Sequence, residues 1–419
     1  MSKKSQPIAR RDFFKTATAA ATAGLLVVKP QTAFGSSANS ALRLGMVGCG
    51  GRGTAVADAF VENTNTHVAA LADLFDYRLE ETQAHFNKLQ QAAGKPGVSK
   101  NFKGERAYQD LANSDVDIVL VSTPPYFHPE HLEAALDAGK HVYLEKPVAT
   151  DVRGCKRVME LASKAEGKLS VDVGFQIRSA PHFAELTRRL HEGAIGDIAF
   201  ATGFYYAGDL PRRSRPGMSE LEHRIRNWFF YRDLSGDVLV EQNVHIIDVF
   251  NWVLQVHPEK AQATGGRKVR TDIGDVWDHF AVTYYYPNDV RASFTSTQFL
   301  PAWGPVCERF FGAKGFSEAF YSGGLRIIGE NPWEAGAEDA PVGTRPEIDP
   351  LGPATPEKAK AFVAGIESGK FHNQLKLGAE SSLSAILGRQ AAYEEKEMTW
   401  DGLLKSDQNW DVDLDWAKL

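Results

Sequence analysis

A glycine-rich turn directly after a short apolar segment is the feature that most constrains this chain. Ala41–Gly48 reads ALRLGMVG, the pattern of a buried parallel strand, and Thr54–Val61 reads as a helix. Between them lies a GxGxxG motif, in which the glycines permit a tight turn, the approach of a pyrophosphate and close helix–strand packing. The helix N-terminus adds unpaired N–H groups and a positive dipole end. The sequence therefore predicts a dinucleotide-binding turn formed by Gly48, Gly50, Gly51, Arg52 and Gly53.

An acidic residue ends the second predicted strand, His67–Asp73. Asp73 follows the last glycine of the motif by about 20 residues, the spacing at which an acid binds the adenosine ribose. Its carboxylate would accept hydrogen bonds from the ribose hydroxyls and repel a 2′-phosphate, which favours NAD over NADP. Arg78 lies near enough in sequence to keep NADP open.

Strands and helices then alternate as far as about residue 176. The segments Val116–Ser122, His141–Lys146 and Leu169–Gln176 read as strands, and the helices are predicted at Asp76–Ala93, His128–Ala138 and Asp151–Glu166. Such alternation predicts a doubly wound parallel sheet, whose ligands bind beyond the carboxyl ends of the strands. Thr123-Pro124 and Glu145-Lys146 follow two of these strands, so we expect them to meet at the cofactor cleft.

The pattern changes after about Ile195. Long strands with few helices between them are predicted at Ile198–Tyr206, Lys260–Arg270, His279–Tyr286, Val290–Gln298 and Val306–Phe311. Glu330–Pro356 is predicted as a loop, and Pro356–Ser368 and Gln374–Glu395 as helices. We therefore expect an α/β protein, with an N-terminal Rossmann dinucleotide-binding domain at 41–170 and a C-terminal α+β domain with an open, largely antiparallel sheet at 171–419.

Charge and cysteine content exclude several classes of protein. The 419 residues carry a formal net charge of −6. Six cations against Asp12 give residues 1–35 a charge of +5, which leaves −11 on the remainder. An acidic body argues against nucleic acid or an anionic membrane as the main partner. The three cysteines form no CxxC, and His128-Pro129-Glu130-His131 is not HExxH, so we expect neither a zinc site nor any other metal.

The first 35 residues resemble a twin-arginine export signal. Arg10-Arg11-Asp12-Phe13-Phe14 precedes an apolar run from Ala17 to Val28, and Ala33-Phe34-Gly35 offers small residues for cleavage. The run is shorter than the about 20 residues that span a bilayer, so no stable membrane insertion is expected. We predict a signal at 1–35, a leader at 36–40, and export of the folded protein to the periplasm or beyond; an uncleaved amphipathic helix is the alternative.

Several motifs together resemble the glucose–fructose oxidoreductase, inositol dehydrogenase and MocA (Gfo/Idh/MocA) family. They are the glycine motif, Thr123-Pro124-Pro125 with His128, Gly139–Pro147 (GKHVYLEKP), Gly193–Ile198 (GAIGDI), and the tail Ala391-Ala392-Tyr393 with Thr399-Trp400. The resemblance implies an oxidoreductase with a carbohydrate or polyol substrate and an open sheet that often joins subunits, hence a homo-oligomer. Thr123, Pro124, His128, Glu145 and Lys146 are then expected at the cofactor.

Lys146 and His245 are the candidate catalytic residues. Oxidising an alcohol requires a proton to leave oxygen as hydride leaves carbon, and a lysine beside the nicotinamide can transfer that proton. Glu145 is expected to orient the amine of Lys146. Glu241 precedes His245 by four residues, on the same face if the segment is helical, and Asp248 is spaced to orient the imidazole. Family members commonly have Asp where this chain has Glu241. The alternatives are a surface lysine and a structural histidine.

The predicted substrate contacts lie on two further segments. Gln176 and Arg178 follow a strand, and Trp228, Tyr231 and Arg232 precede the Glu/His segment. Aromatic rings pack on the C–H faces of a sugar while arginine binds its hydroxyls, although these residues could equally belong to the core. A cluster of arginines could bind an anionic sugar or form a solvated loop or subunit contact: Arg212, Arg213, Arg215, Arg224 and Arg226.

Two enzymatic hypotheses follow, with a third outside catalysis. The first is a nicotinamide-dependent sugar or polyol oxidoreductase. Because the periplasm lacks a maintained pool of free NAD, its cofactor should be tightly bound and recycled in place. The second is a redox-neutral glycoside hydrolase that oxidises a sugar transiently, eliminates the aglycone, adds water and reduces the product, with Tyr231, Glu241 or His245 as an additional base. The third is an inactive binding or sensor protein.

Overall fold

The computed structural model describes residues 41–340, 344, 346–406, 408–412 and 414–418. The predicted export signal at 1–35 and leader at 36–40 lie outside these residues. Within the described part of the chain, no helix combines the length and apolar character needed to cross a bilayer.

The first sheet has six parallel strands in the order β3-β2-β1-β4-β5-β6. The strands are β1 (Leu42–Val47), β2 (Thr66–Asp73), β3 (Lys100–Lys103), β4 (Ile118–Val121), β5 (His141–Leu144) and β6 (Val171–Val173). The helices that connect them are α1 (Gly51–Asn63), α2 (Asp76–Ala92), α3 (Ala107–Ala112), α4 (His128–Asp137) and α5 (Val152–Ala165). The predicted doubly wound parallel sheet is confirmed.

Burial on both faces explains why this sheet could be predicted. All four residues of β4 (IVLV) and of β5 (HVYL) are buried, as expected for strands covered by helices on either side. β3 and α3 were not predicted. β3 is the polar edge strand KNFK, and most of it is exposed, so it lacks the apolar pattern of a buried strand. β6 pairs with β5, so the domain boundary drawn at residue 170 falls one strand too early.

The second sheet has nine strands in the order β14-β13-β12-β11-β7-β10-β9-β8-β15. They are β7 (Ile198–Gly208), β8 (Lys260–Gly266), β9 (His279–Tyr285), β10 (Arg291–Leu300), β11 (Val306–Gly312), β12 (Gly315–Phe320), β13 (Leu325–Gly329), β14 (Trp333–Glu334) and β15 (Met398–Thr399). Only the β7–β10 pair is parallel, which confirms the largely antiparallel prediction. The short strands β12 to β15 were not predicted.

The helices of this half of the chain are α6 (Pro181–His191), α7 (Glu220–Arg226), α8 (Arg232–Ser235), α9 (Val238–Glu241), α10 (Val244–Leu254), α11 (Ala354–Glu367), α12 (Leu375–Tyr393) and α13 (Trp400–Lys405). Of these, α6, α10 and α12 pack on the second sheet. The predicted helices at 356–368 and 374–395 are thus confirmed as α11 and α12. α11 packs on α1 of the first domain, where Phe362 meets Phe60 edge to face at 5.9 Å. The C-terminal part of the chain therefore stabilises both domains.

Candidate active site

The glycine turn between β1 and α1 is built as its motif predicts. Gly48 has φ +94°, and a Cβ there would lie 2.8 Å from the backbone of Ser122; a Cβ on Gly53 would lie 2.6 Å from the Gly48 carbonyl oxygen. Around Gly50 and Gly51, by contrast, a Cβ would meet nothing within 4 Å. α1 has no side-chain N-cap and no acid in its first turn. Its free N–H groups therefore face open space, which suits a phosphate.

Asp73 is fixed at the end of β2 by two backbone donors. Its Oδ2 accepts from the Cys49 N–H at 2.8 Å, and its Oδ1 accepts from the Phe75 N–H at 3.0 Å. Burial raises the pKa of this carboxyl, although the two hydrogen bonds oppose the shift. Each oxygen keeps a lone pair for a ligand. Asp73 thus ties the glycine turn to β2 at the position expected for a ribose.

Two adjoining cavities lie along the carboxyl edge of β1, β2 and β4. A cavity of about 120 Å³ borders Gly48, Gly50 and Asp73, and one of about 310 Å³ extends toward the segment after β3. Thr123 and Pro124 line both, as predicted for residues that follow β4. The cleft occupies the region beyond the strand ends where doubly wound sheets bind ligands.

His128, predicted at the cofactor, supports the cleft from beneath. The residue is 1% exposed, and its ring nitrogens lie 2.7 Å from the Pro147 carbonyl oxygen and 2.9 Å from that of Thr123. Burial lowers its pKa to about 4, so the neutral ring donates to one of these carbonyls. His128 therefore positions the segments after β4 and β5 and does not face the cleft. His131, which was not predicted, does line the larger cavity.

Lys146 is held by Glu241 across the two domains. Its Nζ donates to Glu241 Oε1 at 3.0 Å and to the Glu241 backbone oxygen. The expectation that Glu145 orients the amine is wrong, because Glu145 Oε1 instead accepts from Arg52 Nε at 2.8 Å. Arg52 also donates to Gln176 Oε1 at 3.0 Å. These contacts connect the glycine turn to the Lys146 strand end and bring five predicted residues into one cluster.

His245 lies in the same cluster but is held differently from the prediction. Residues 242 and 243 separate α9 from α10, so Glu241 and His245 do not share one continuous helix. His245 is buried, and its Nδ1 has no hydrogen-bond partner within the described structure. Burial, with the nearby charges of Lys146 and Arg52, lowers its pKa well below the usual value. The imidazole is therefore neutral at neutral pH.

Asp248 does not orient His245, because it is bound by Arg178. Arg178 Nε donates to Asp248 Oδ2 at 2.8 Å and its Nη2 donates to Oδ1 at 2.9 Å. Ser381 Oγ adds a third donor at 2.7 Å. The guanidinium also lies over the Trp252 ring at 5.3 Å. The donors of Arg178 thus serve an internal ion pair, and its predicted substrate contact stays a prediction.

The aromatic segment before α9 is spread over several environments. Trp228 lines the smaller cavity beside the glycine turn. Tyr231 lies against Arg224, whose guanidinium is 5.4 Å from the ring centre. Arg232 covers Tyr393 at 4.5 Å and Trp410 at 5.1 Å. Within the described residues, no hydrogen bond or ion pair joins Tyr231 or Arg232 to Lys146, and their sugar-binding role stays a prediction.

Four of the five arginines in the cluster pair with acids, and two of the five line the smaller cavity. Acidic partners are found for four of its members: Arg212 with Asp209 and Asp272, Arg215 with Glu222, Arg224 with Asp233, and Arg226 with Glu222. Arg213 lines the smaller cavity with Arg78 and Arg226. Burial and repulsion from Arg78 lower the pKa of Arg213. This side of the cleft is therefore cationic, which suits the phosphates of a dinucleotide.

Tyr205 is a buried residue near Glu241 that sequence reasoning missed. It is buried on β7, and burial together with the charge of Glu241 raises the pKa of its phenol. Its place in the alternation of β7 indicates that it faces the helices, but no sequence motif marks its proximity to Glu241.

The fold and these residues define a two-domain dinucleotide-binding protein with a Lys/Glu/His cluster beside the nucleotide cleft. A model described as "Oxidoreductase family, NAD-binding Rossmann fold" matches residues 42–173, and one described as "GFO/IDH/MocA C-terminal domain" matches residues 183–317. Together they span more than half of the chain, which belongs to the Gfo/Idh/MocA family. The expectation of NAD is thereby confirmed. The uncapped N-terminus of α1, the Asp73 carboxylate and the cationic lining of the smaller cavity all fit this cofactor.

Curated relatives agree with this family. The chain is 29% identical over 197 residues to an inositol 2-dehydrogenase of Acidothermus cellulolyticus, covering 46% of this chain and 52% of the relative. It is 26% identical over 243 residues to the inositol 2-dehydrogenase of Rhizobium meliloti, covering 58% and 64%. The matches thus span about half to two thirds of these relatives. A solved levoglucosan dehydrogenase complex with NADH and levoglucosan shares the fold, with a TM-score of 0.68, 19% identity, and coverage of 85% of this chain and 99% of that one.

Proposed function

We propose that this protein is an NAD-dependent dehydrogenase that oxidises a ring hydroxyl of a cyclic polyol or sugar. The observation that carries the proposal is the cluster of Lys146, Glu241 and His245, which Arg52 and Glu145 connect to the glycine turn. The names of the relatives support inositols, and that of the solved neighbour supports an anhydrosugar, as the substrate class.

The residues divide the work of proton transfer. Glu241 holds the Lys146 amine at 3.0 Å, so the amine has a fixed direction from which to bind a substrate hydroxyl. His245 is neutral, so its ring can accept a hydrogen bond from that hydroxyl and orient it toward the Lys146 amine, which takes the proton. NAD, when bound, supplies the hydride acceptor.

The test is single-turnover nicotinamide absorbance with purified protein. The panel contains myo-inositol, scyllo-inositol, glucose, levoglucosan and aryl glycosides. We expect stoichiometric reduction with one class of polyol, and a loss of at least about 100-fold in the reduction rate for Lys146→Met and His245→Asn, within the range of general acid–base contributions. Lys88→Met, at an exposed position on α2, is the matched control and should keep the wild-type rate.

Two results would contradict the proposal. An unchanged reduction rate in Lys146→Met would remove the proton-transfer role. Continuous aglycone release without net build-up of reduced cofactor would replace the dehydrogenase with the redox-neutral hydrolase.

We further propose that the protein is exported by the twin-arginine route and retains its NAD through the catalytic cycle. The support is the Arg10-Arg11 segment with the apolar run after it, and the absence of a free NAD pool outside the cytoplasm. Arg10→Lys with Arg11→Lys should keep the protein in the cytoplasm on fractionation, and denaturation of the purified protein should release about one NAD per chain. Release of no nucleotide would contradict retention.

A second copy of the chain is the proposed partner of the open sheet face. Phe200, Phe311, Phe316 and Ile328 lie in register across four neighbouring strands, and Phe200 and Ile328 are 38% and 39% exposed. An exposed apolar row of this kind is typical of an interface. Light scattering should report an oligomer for the wild type and a smaller species for Phe200→Glu with Ile328→Glu; an equal mass for both would contradict this interface.

A further inference from the structure

The larger cavity continues the cleft away from the Lys146 cluster. Asp73, Leu74, Thr123 and Pro124 line both this cavity of about 310 Å³ and the smaller one beside the glycine turn. In the strand order β3-β2-β1-β4-β5, the larger cavity lies over the ends of β1 and β2, whereas Lys146 follows β5. A dinucleotide that places its phosphates on the glycine turn and its nicotinamide near Lys146 therefore directs its adenine into the larger cavity.

The lining of this cavity suits a flat heteroaromatic ring. Val47, Ala72, Leu74 and Ala107 supply apolar walls, and the Phe127 ring stands at one side. Polar side chains at its edge bond to one another: the Tyr108 hydroxyl donates to Glu130 Oε1 at 2.6 Å, and Thr123 Oγ1 lies 3.0 Å from His131 Nδ1. A mainly apolar slot with few polar groups is the usual form of a cofactor pocket.

The chain's own C-terminal segment completes the slot. Trp416 lines the cavity, and its ring centre lies 6.0 Å from that of Phe127 at an interplanar angle of 41°. Trp416 is separated by about 290 residues from Phe127 and follows the last helix, so it reaches the first domain only because its segment returns across the molecule.

The return of this segment is fixed by contacts before Trp416. The Trp410 N–H donates to Asp151 Oδ2 at 2.8 Å, and its indole N–H donates to the Thr150 carbonyl oxygen at 3.3 Å. The Arg389 guanidinium lies 5.5 Å over the Trp410 ring, and Arg389 Nη2 donates to Gln408 Oε1 at 2.9 Å. Val412 is buried against Phe127. The segment is therefore docked on the N-terminal end of α5.

We propose that Trp416 is a cofactor-binding residue, and that the C-terminal segment closes the larger cavity by packing the indole of Trp416 against the adenine of NAD. The inference rests on the proposed function only in that NAD occupies the cleft. Trp416, near the end of the second domain, would then contact the adenine, a part of the nucleotide that the glycine motif does not reach.

The experiment separates the adenine half of the cofactor from the nicotinamide half. Binding of NADH, ADP-ribose and nicotinamide mononucleotide is measured by titration calorimetry on nucleotide-free wild type, Trp416→Ala and Trp416→Phe. We expect Trp416→Ala to weaken ADP-ribose and NADH by about 5- to 150-fold, the range expected for loss of one base–aromatic stack. Nicotinamide mononucleotide should bind as in the wild type, and Trp416→Phe should recover most of the affinity.

Trp303→Ala is the matched control, because Trp303 is 59% exposed and lines neither cavity. It should leave all three affinities unchanged. If Trp416→Ala lowers the thermal midpoint, Trp416→Leu provides the same comparison with more of the apolar packing retained.

Two outcomes would overturn the inference. Wild-type affinity for ADP-ribose in both Trp416→Ala and Trp416→Leu would show that the indole does not contact adenine. An equal loss of nicotinamide mononucleotide would indicate a general distortion of the cleft. A wild-type protein that binds none of the three ligands would instead overturn the proposed function itself.

Discussion

Replacing Arg178 by methionine separates a structural role for this residue from the substrate contact that its position after β6 predicts. The methionine retains the apolar stem but removes the guanidinium, which donates to Asp248 at 2.8 and 2.9 Å. Asp248 is 1% exposed, so water cannot replace the lost donors. Ser381 would remain as its hydrogen-bond donor.

The magnitude follows from this geometry. Two unit charges 2.8 Å apart attract by about 6 kcal/mol at an effective dielectric constant of about 20, and desolvation of both groups offsets much of this attraction. Removing one partner nevertheless leaves a buried, unpaired charge, which costs about 3–5 kcal/mol. We expect Arg178→Met to lower the free energy of unfolding by that amount. Removing both charges in Arg178→Met with Asp248→Asn should recover part of the loss.

The assay is urea unfolding followed by circular dichroism, together with steady-state kinetics on the polyol identified by the panel. Arg188→Met is the matched control, because Arg188 pairs with Glu185 and Glu192 on the exposed face of α6, and its unfolding midpoint should equal that of the wild type. An unchanged midpoint in Arg178→Met, with a raised KM, would refute the structural reasoning and establish Arg178 as a substrate ligand.

Three further predictions concern the glycine turn, the Lys146 cluster and pH. Gly53→Ala should lower the unfolding midpoint and weaken NADH binding, because its Cβ would clash with Ser122 Oγ and lie 2.6 Å from the Gly48 carbonyl oxygen. Gly51→Ala should keep the wild-type midpoint, since its Cβ would meet nothing within 4 Å. Equal midpoints for the two variants in urea would contradict the packing argument. Glu241→Gln should reduce turnover about 10- to 100-fold, since Lys146 loses a charged hydrogen-bond acceptor, and should leave the calorimetric Kd for NADH unchanged. Unaltered turnover would refute the positioning role of Glu241. Burial raises the pKa of Asp237 from 3.8 to about 6, so folding favours its protonated form. The free energy of unfolding should therefore fall by about 3 kcal/mol as the pH rises from about 4 to 6. Asp237→Asn should lack that decrease, and parallel pH profiles of urea unfolding for the variant and the wild type would contradict the prediction.

Burial periodicity and strand order predicted the position of residues that directly follow a strand. The strand at 118–121 is buried on both faces, and Thr123 follows it at the cleft because carboxyl ends of parallel strands meet at one edge. Glu145 shows where such reasoning fails. Its proximity to Lys146 in sequence suggested an ion pair, but Glu145 turns toward Arg52, which the glycine turn supplies from 93 residues away.

The second domain was harder to predict in detail than in type. Its long strands alternate clearly, whereas burial along β12 does not alternate and β14 and β15 have only two residues each. Glu241 and His245 were expected on one face if their segment were helical, but the chain forms α9 and α10 with a break between Glu241 and Val244. That break aims Glu241 at Lys146, so a local departure from helical geometry builds the site.

The sequence by itself determined the architecture of this protein and the cofactor cleft, because turn glycines and periodic burial act over a few residues. Only the tertiary structure decided which partners the charged and aromatic groups take. Asp248 lies three residues from His245, yet it pairs with Arg178, 70 residues away, since the guanidinium offers two donors at a buried carboxylate. Trp416 likewise reaches the cleft through the docked C-terminal segment. Such choices depend on packing between distant segments, which no local pattern encodes.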